Sequence, residues 1–430
     1  MPANVRKPLP GQIHLSRRSY LQWANTVAQL TRTPKSLKKP RSEASDLEIA
    51  AALIHDMRPD LIQLWETFTT ERADVSRYLM DPKREALVYL LGFHLANQAR
   101  TLGVLLRLQR RSGLLSSLSE RAEPVRLVDL GCGTGALSLT TAQELKELNP
   151  NLALSFELID KSQNFLEAAA MQAKALVAED AVLLRRQKLD DYLSRELSNG
   201  PAEGLVWYQI GYLWNEIMQS PKTTQLMLRY LEAGLQKGKR VLTIIEPANQ
   251  DLARGAMELR QELVNRGYQV LYPCSHNLDC PMLERTRDWC YSEFAWERPP
   301  LVRNVDKILE IDRHRIGCAA YVFVSPDMIK DFRQPASIVV GRPLDRNASM
   351  HSRKFEYLLC SEDGLSKATP GEGLELMRGQ TFDPVKERAS TKPKVPKAEA
   401  KPTPEAKPKA DARKPGVRKP QGRKAPRKER

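Results

Sequence analysis

No stretch of the 430-residue chain stays apolar for the roughly 20 residues that a helical membrane span requires, so no helical span and no membrane partner are expected. The N-terminus lacks the apolar core of a secretory signal, which argues against export by that route. Cysteine is scarce, with six in the whole chain, and this excludes a disulfide scaffold. No two cysteines form a CxxC pair, so the common zinc knuckle is absent too. Aromatics make up only 6%. Residues 1–42 contain no Asp or Glu, and from Thr391 onward large apolar residues are nearly absent while proline is frequent. That last composition cannot build a core. A hydrophobic share of 41% elsewhere is enough for one, at a length that suits two or three domains.

Against these absences, the stretch VRLVDLGCGTG from Val125 to Gly135 stands out. An apolar, β-branched lead reaches Asp129, glycines follow at 131, 133 and 135, and ALSLTTAQELKEL continues at helical spacing. Strand, glycine loop and helix form the first unit of a nucleotide-binding α/β sheet. Gly131 and Gly133 let the backbone turn and approach a ligand with no Cβ in the way. An acidic residue just ahead of the glycines resembles motif I of S-adenosylmethionine-dependent methyltransferases. In that family the Asp and the loop amides hold the methionine end of the cofactor.

The alternation continues. LSFELID ends in Asp160, placed to accept from ribose hydroxyls, and AVLLRRQKLDDYL is a third strand with Asp190 and Asp191 at its end, on the adenine side. GLVWYQIGYLWNEI, KRVLTIIEPAN and YQVLYP supply further strands, with a helix at DLARGAMELRQELVNRG. The expected class is therefore α/β: a Rossmann-like methyltransferase sheet, doubly wound. Amino-methylating enzymes carry Asn or Asp followed by Pro-Pro and an aromatic after the fourth strand. Here QIGYLWNE has no proline, and Gln209, Asn215 and Glu216 are polar without any of them being marked as a base. The catalytic residue is left unassigned.

Cys274, Cys280 and Cys290 fall within 17 residues, separated by five and nine, and Pro273 and Pro281 keep that segment loop-like. Clustered thiolates are soft ligands suited to zinc or an iron–sulfur cluster. Cys360 is the first choice as a fourth ligand and His276 the second. Cys318 sits in an apolar strand and Cys132 in the glycine loop; both read as packing residues. Pro273-Cys274-Ser275 also resembles the nucleophile motif of RNA cytosine-C5 methyltransferases, but that motif follows the fourth strand with an acidic residue before it, and this one does not.

Taken together, VDLGCGTG, Glu246-Pro247 ahead of a helix, PCSHNLDCP, Asp288-Trp289-Cys290, Glu297-Arg298-Pro299 and DRHRIGCAAYVFVSP resemble the methyltransferase-like assembly factors of the small ribosomal subunit, found in mitochondria and bacteria. The resemblance covers roughly residues 80–365. It implies a Rossmann-like domain with a cysteine-rich insertion, Cys274, Cys280, Cys290 and Cys360 as ligands of a [4Fe–4S] cluster, and small-subunit RNA and proteins as partners. Ala248-Asn249 stand where the family tends to have Gly after Glu-Pro.

The division expected is a basic N-terminal arm at 1–44, a helical subdomain at 45–120, the methyltransferase domain at 121–270, a cysteine-rich segment with C-terminal strands at 271–365, and a disordered basic tail at 366–430. The arm reads either as an RNA contact or as an acid-poor mitochondrial presequence, with Leu15, Trp23, Val27 and Leu30 as face residues and Pro2, Pro8 and Pro10 against a helical targeting signal. Arg107, Arg110 and Arg111 read as a solvated helix end, with an RNA contact as the alternative. From Thr391 to Arg430 fifteen Lys and Arg face four Asp and Glu, so most of the net charge of +15 belongs to a segment suited to RNA phosphates. The expected protein is a monomer, cytoplasmic in a bacterium or else in the mitochondrial matrix. It is either an RNA methyltransferase or a non-catalytic RNA-binding scaffold with a structural metal site.

Overall fold

A computed structural model of the protein describes residues 12–69, 82–332, 337–341, 356–369 and 376–382. All of them belong to one compact unit, Met1–Arg388; the second unit, Ala389–Arg430, lies outside the described residues, and with it most of the segment expected as a basic tail.

Five parallel strands carry the fold: β1 (Val125–Leu130), β2 (Leu154–Asp160), β3 (Val182–Arg186), β4 (Leu205–Gly211) and β5 (Arg240–Pro247). β1, β2, β4 and β5 are buried along almost their whole length because helices cover both faces of the sheet, whereas edge strand β3 is half exposed. Three antiparallel additions follow: β6 (Gln269–Tyr272), β7 (Ser292–Ala295) and β8 (Arg315–Val324). The sheet order is β3-β2-β1-β4-β5-β8-β6, with β7 also on β8. This is a mixed, Rossmann-like sheet. The order reverses between β1 and β4, and a ligand crevice belongs at the carboxyl ends of those strands. A second, four-stranded sheet joins β9 (Ser337–Val339), β10 (Tyr357–Ser361), β11 (Gly364–Ala368) and β12 (Thr381–Phe382) in the order β11-β10-β9-β12. β12 and part of β11 lie inside the segment expected as tail, so the ordered body continues to Phe382 at least.

The N-terminal helices are α1 (Arg17–Leu30), α2 (Asp46–Asp56), α3 (Arg58–Thr69), α4 (Pro82–Tyr89), α5 (Leu95–Ser112) and α6 (Leu114–Ser119), with one π-helical turn, Leu90–His94, between α4 and α5. α2 starts on a capping box of Ser45 with Glu48. These helices share one apolar cluster with the sheet instead of forming a core of their own. The expected arm is corrected in the same way: α1 is part of the fold. Trp23 is 1% exposed and donates its indole N–H to the Leu90 carbonyl at 2.9 Å, Val27 is buried, and Leu15 and Leu30 pack against the cluster. Trp23→Ala should cost about 3–5 kcal/mol through the cavity and the lost bond, read as a lower thermal midpoint. A free arm would leave the midpoint unmoved.

The remaining helices are α7 (Ala136–Leu148), α8 (Gln163–Ala173), α9 (Leu189–Asn199), α10 (Trp214–Ile217), α11 (Pro221–Leu235), α12 (Gln250–Asn265) and α13 (Pro300–Ile308). No described helix is long and apolar enough to cross a membrane.

Candidate functional site

β1 ends at the reversal of strand order, and its glycine loop opens a cleft there. Asp129, Gly131, Cys132, Gly133, Thr134, Ala136 and Leu137 line one side, Gly211, Tyr212 and Ile245 another, and Tyr89, Asn97 and Thr101 close it from α4 and α5. Gly133 has φ 52° and open space where a Cβ would stand, so a ligand can lie directly on its backbone. Gly135 serves packing: a Cβ there would meet Leu139 and Ala169 at 3.0 and 3.1 Å, between α7 and α8. Gly131 is closed over by Leu213, whose side chain would lie 2.7 Å from a Cβ.

Asp129 is 2% exposed. The backbone and hydroxyl of Ser138 serve its carboxylate, yet Oδ2 is buried with no partner among the described residues. Burial pushes the carboxyl up to about 7, with the Asp160 charge adding to it. An unpartnered carboxylate oxygen in a cleft is a place for a cation or a hydrogen-bond donor.

Asp160 ends β2 as expected, but its oxygens fasten the loop. Gly133 N–H donates to Oδ2 at 2.9 Å and Ser162 N–H to Oδ1 at 2.8 Å. Neither Asp160, Gly135 nor Asp190 lines the cleft. Asp190 is placed differently from its expected strand end: β3 stops at Arg186, and Asp190 sits in the first turn of α9, favourable for an acid, with Lys222 of α11 at 3.7 Å. Gln209 is fully buried beside Asp129 in the β1–β4 register, with both amide atoms unpartnered among the described residues. Asn215 and Glu216 lie on α10, outside the cleft lining.

Two residues that sequence reading passed over shape the site. His94, at the end of the π turn, places Nδ1 2.8 Å from Thr134 Oγ1, while Gln172 of α8 donates to the Thr134 carbonyl at 3.3 Å. Burial holds His94 down to about 3, so the ring is neutral. Tyr212 follows β4 with φ 60°, a strained value for a non-glycine residue, and turns a buried hydroxyl without a partner among the described residues into this region. Only such an outlier, visible in coordinates, could have marked it.

Glu246, at the end of β5, accepts from Trp214 N–H at 2.7 Å and keeps Oε2 buried and unpartnered among the described residues. Burial pushes its carboxyl up to about 8. An unfolded Glu loses its proton near ~4.3, so the folded chain loses stability as pH rises from ~4 to ~8. Glu246→Gln should remove that decline and raise the midpoint at pH 9, as read by thermal melts across pH.

A second cluster lies on α12. After the cis Tyr272–Pro273 bond, the loop brings Cys274, Cys290 and, from β10, Cys360 to 8%, 7% and 6% exposure, with Cys280 half-buried. Burial disfavours a thiolate at Cys290 and at Cys360, and the neighbouring thiols add to this: Cys274, Cys280 and Cys360 at Cys290, and Cys274 and Cys280 at Cys360. Burial pushes Cys360 up to about 12 and Cys280 upward as well. His276 Nε2 stands 3.6 Å from Cys360 Sγ. Cys318 is elsewhere, fully buried in β8, and Cys132 stays in the glycine loop; all six thiols are free. Among the described residues no three His, Cys, Asp or Glu side chains are close enough to grip one metal ion.

The loop is held by arginines. Arg254 donates to the carbonyls of Leu283, Arg285 and Asp288, Arg260 to those of His276 and Leu278, and Arg378 to that of Trp289 while stacking 3.8 Å from the Tyr291 ring centroid. Of the helix end expected to be solvated, Arg110 is exposed, whereas Arg107 and Arg111 turn inward. Arg111 donates to Pro273 and Cys274 carbonyls and Arg107 to those of Glu293 and Arg378, with Arg107 4.2 Å over the Phe294 ring.

No curated protein matches the chain. Among solved structures, a protein from Listeria monocytogenes described as a class I S-adenosylmethionine-dependent methyltransferase aligns at 12% identity and TM-score 0.35, over 73% of this chain and 90% of that one. An S-adenosylmethionine-dependent methyltransferase from Agrobacterium tumefaciens aligns at 13% and 0.31, over 51% and 61%, so the chain spans under two thirds of that protein. A Pyrococcus horikoshii protein described as an RNA methyltransferase aligns at 12% and 0.29, over 73% and 98%. Superpositions this loose carry no argument. The family profile does: it matches residues 108–367, which hold the glycine loop and all four clustered cysteines. The chain belongs to the family described as mitochondrial small ribosomal subunit Rsm22.

Proposed function

We propose that the protein is an S-adenosylmethionine-binding, iron–sulfur-containing, methyltransferase-like factor that acts on small ribosomal subunit RNA during assembly or translation. The observation that carries the cofactor reading is the unpartnered Oδ2 of Asp129 beside the uncovered backbone of Gly133. That pair fits the ammonium end of the cofactor: the carboxylate takes the cation and the loop amides take the carboxylate. When bound, the cofactor supplies an electrophilic methyl group. Asp160, whose oxygens keep lone pairs beyond their two backbone donors, takes the ribose hydroxyls, and Asp190 is assigned the adenine side. Thr134, held by His94 and Gln172, keeps the loop in place for this.

The cysteine cluster fits a [4Fe–4S] centre by its donor set of four soft thiols, with Cys274, Cys280, Cys290 and Cys360 as ligands. One tetrahedral zinc at ~2.3 Å from each sulfur would need the thiols in mutual contact. The mutual electrostatic influence of the four thiols supports assigning them to one centre.

The ribosomal role comes from the family description, which also favours the mitochondrial matrix over a bacterial cytoplasm. The basic residues of 1–11 and 391–430, outside the described residues, are assigned to RNA phosphates. The state proposed is a monomer. A second reading, a non-catalytic RNA-binding scaffold, is supported by the position of Gln209 within the sheet and of Asn215 and Glu216 outside the cleft lining. A labelled-methyl transfer assay on immature small subunits separates the two. Label in RNA with wild type and not with Gly133→Arg supports the enzyme. Cofactor binding without label in RNA supports the scaffold.

A further inference from the structure

α12 presents one face to the cysteine loop. Arg254, Met257 and Gln261 are spaced i, i+3, i+7, with Arg260 beside them. Gln261 Oε1 accepts from Cys280 N–H at 3.1 Å, and Cys290 N–H points to Met257 Sδ at 3.3 Å. Arg260 is 1% exposed. Its Nη1 donates to the Leu278 carbonyl at 2.7 Å and to Gln261 Oε1 at 2.9 Å, and its Nη2 donates to the His276 carbonyl at 2.8 Å. Nε is buried without a partner, and no carboxylate pairs with this guanidinium among the described residues. Burial works against its charge, and the neighbouring Cys274 and Cys280 thiols favour it and hold its pKa up, on the same loop whose His276 and Leu278 carbonyls it binds.

Carbonyls satisfy N–H groups but do not neutralise a charge, and a buried cation without an anion is unfavourable. Arg313 shows the usual remedy: it is 6% exposed and has Asp306 at 2.5 Å. Arg240, fully buried, also lacks a carboxylate among the described residues, but it lies over the Tyr208 ring and is fastened to the carbonyls of Gly204 and Lys239 at strand ends.

We infer that Arg260 is the built-in countercharge of an anionic thiolate centre, and that it positions the Cys274–Cys280 loop through the carbonyls of His276 and Leu278. This rests on the four-thiol reading above. Four thiolates around a cluster leave net negative charge in a buried place, and Arg260 supplies the missing cation. The guanidinium fork holds the loop while the charge raises the affinity of the centre for an electron. The metal-free protein carries the charge without its partner.

The test uses the full chain prepared without oxygen, as wild type, R260M, R260K and R240M. Four quantities are read: iron and sulfide per chain, the reduction potential, the half-life of bound iron against a chelator, and the thermal midpoint after metal removal. R260M is expected to take up iron, to have a more negative potential, and to lose iron about tenfold faster. R260K keeps the charge but loses the fork, so its potential stays near wild type while iron is still lost faster. R240M leaves the potential unchanged. Metal-free R260M melts at or above metal-free wild type. The inference is overturned if iron-loaded R260M matches wild type in potential and half-life, or if R240M shifts the potential as far as R260M. It is also overturned if metal-free R260M melts well below wild type, which would make Arg260 a packing residue only. Wild type holding neither iron nor sulfide overturns the four-thiol reading itself and this inference with it. Should R260M fail to fold, the R260K pattern of unchanged potential with faster loss still decides the matter.

Discussion

Asp129→Asn should weaken S-adenosylmethionine binding by roughly 10- to 150-fold, while the ligand-free variant melts at a higher temperature than wild type at pH 8. Both effects come from one carboxylate. Oδ2 of Asp129 is buried and unpartnered among the described residues, so an incoming ammonium gains a charge-assisted hydrogen bond of ~1.5–3 kcal/mol that the amide cannot match. Without ligand, the same burial makes the charge unfavourable and holds the carboxyl at about 7. Folding therefore keeps a proton that the unfolded chain releases near ~4. Stability of the ligand-free protein falls as pH rises from ~4 to ~7, and the penalty is complete above that. Asn carries no such penalty, and its midpoint at pH 8 should rise by at least ~2 °C. The ligand's cation favours the ionised form, so wild-type affinity should increase from pH 6 to pH 8 with release of a proton. Calorimetry in two buffers of different ionisation heat reads this directly. Equal affinity of Asp129→Asn and wild type would remove Asp129 from the site.

Cys290→Ser should empty the second site, with iron and sulfide per chain falling at least ~tenfold, while Cys318→Ser keeps both. The contrast is spatial. Cys290 is 7% exposed and electrostatically linked to Cys274, Cys280 and Cys360. Cys318 is buried even more completely, but it pairs with Pro247 and Ser292 in the sheet and senses Arg100 and Arg107 instead. Metal analysis of protein prepared without oxygen checks the pair. Zinc at one per chain in wild type, with no iron, would replace the cluster by a single-ion site, and iron retained in Cys290→Ser would remove that ligand.

Much of the framework was legible from local pattern. β1, β2, β4 and β5 are rich in apolar and β-branched residues because both faces of the sheet are covered, and the glycine loop is a local device that needs no distant partner to be recognised. The contacts that complete the sites are long-range and leave no local trace. His94 reaches Thr134 across 40 positions, Arg111 reaches Pro273 across 162, and Arg378 reaches Trp289 across 89. A run of arginines at the end of α5 reads as a solvated face because composition does not reveal which carbonyls it meets. Arg378 was missed for a related reason: it lies beyond the expected limit of the ordered body, in a segment that returns to pair Phe382 with Ser337. Asp190 was misplaced by the usual uncertainty of element ends, with α9 starting at Leu189.

The central claim is that the glycine loop holds S-adenosylmethionine. The most direct measurement is calorimetric binding of the cofactor to wild type and to Gly133→Arg, with circular dichroism confirming that both are folded. Gly133 has open space above it and φ 52°, so the arginine side chain fills the place of the ligand without a clash in the core, at the cost of local backbone strain. Saturable one-to-one binding by wild type, lost in the folded variant, is the expected result. Wild type that does not bind, or a variant that binds equally well, would contradict it.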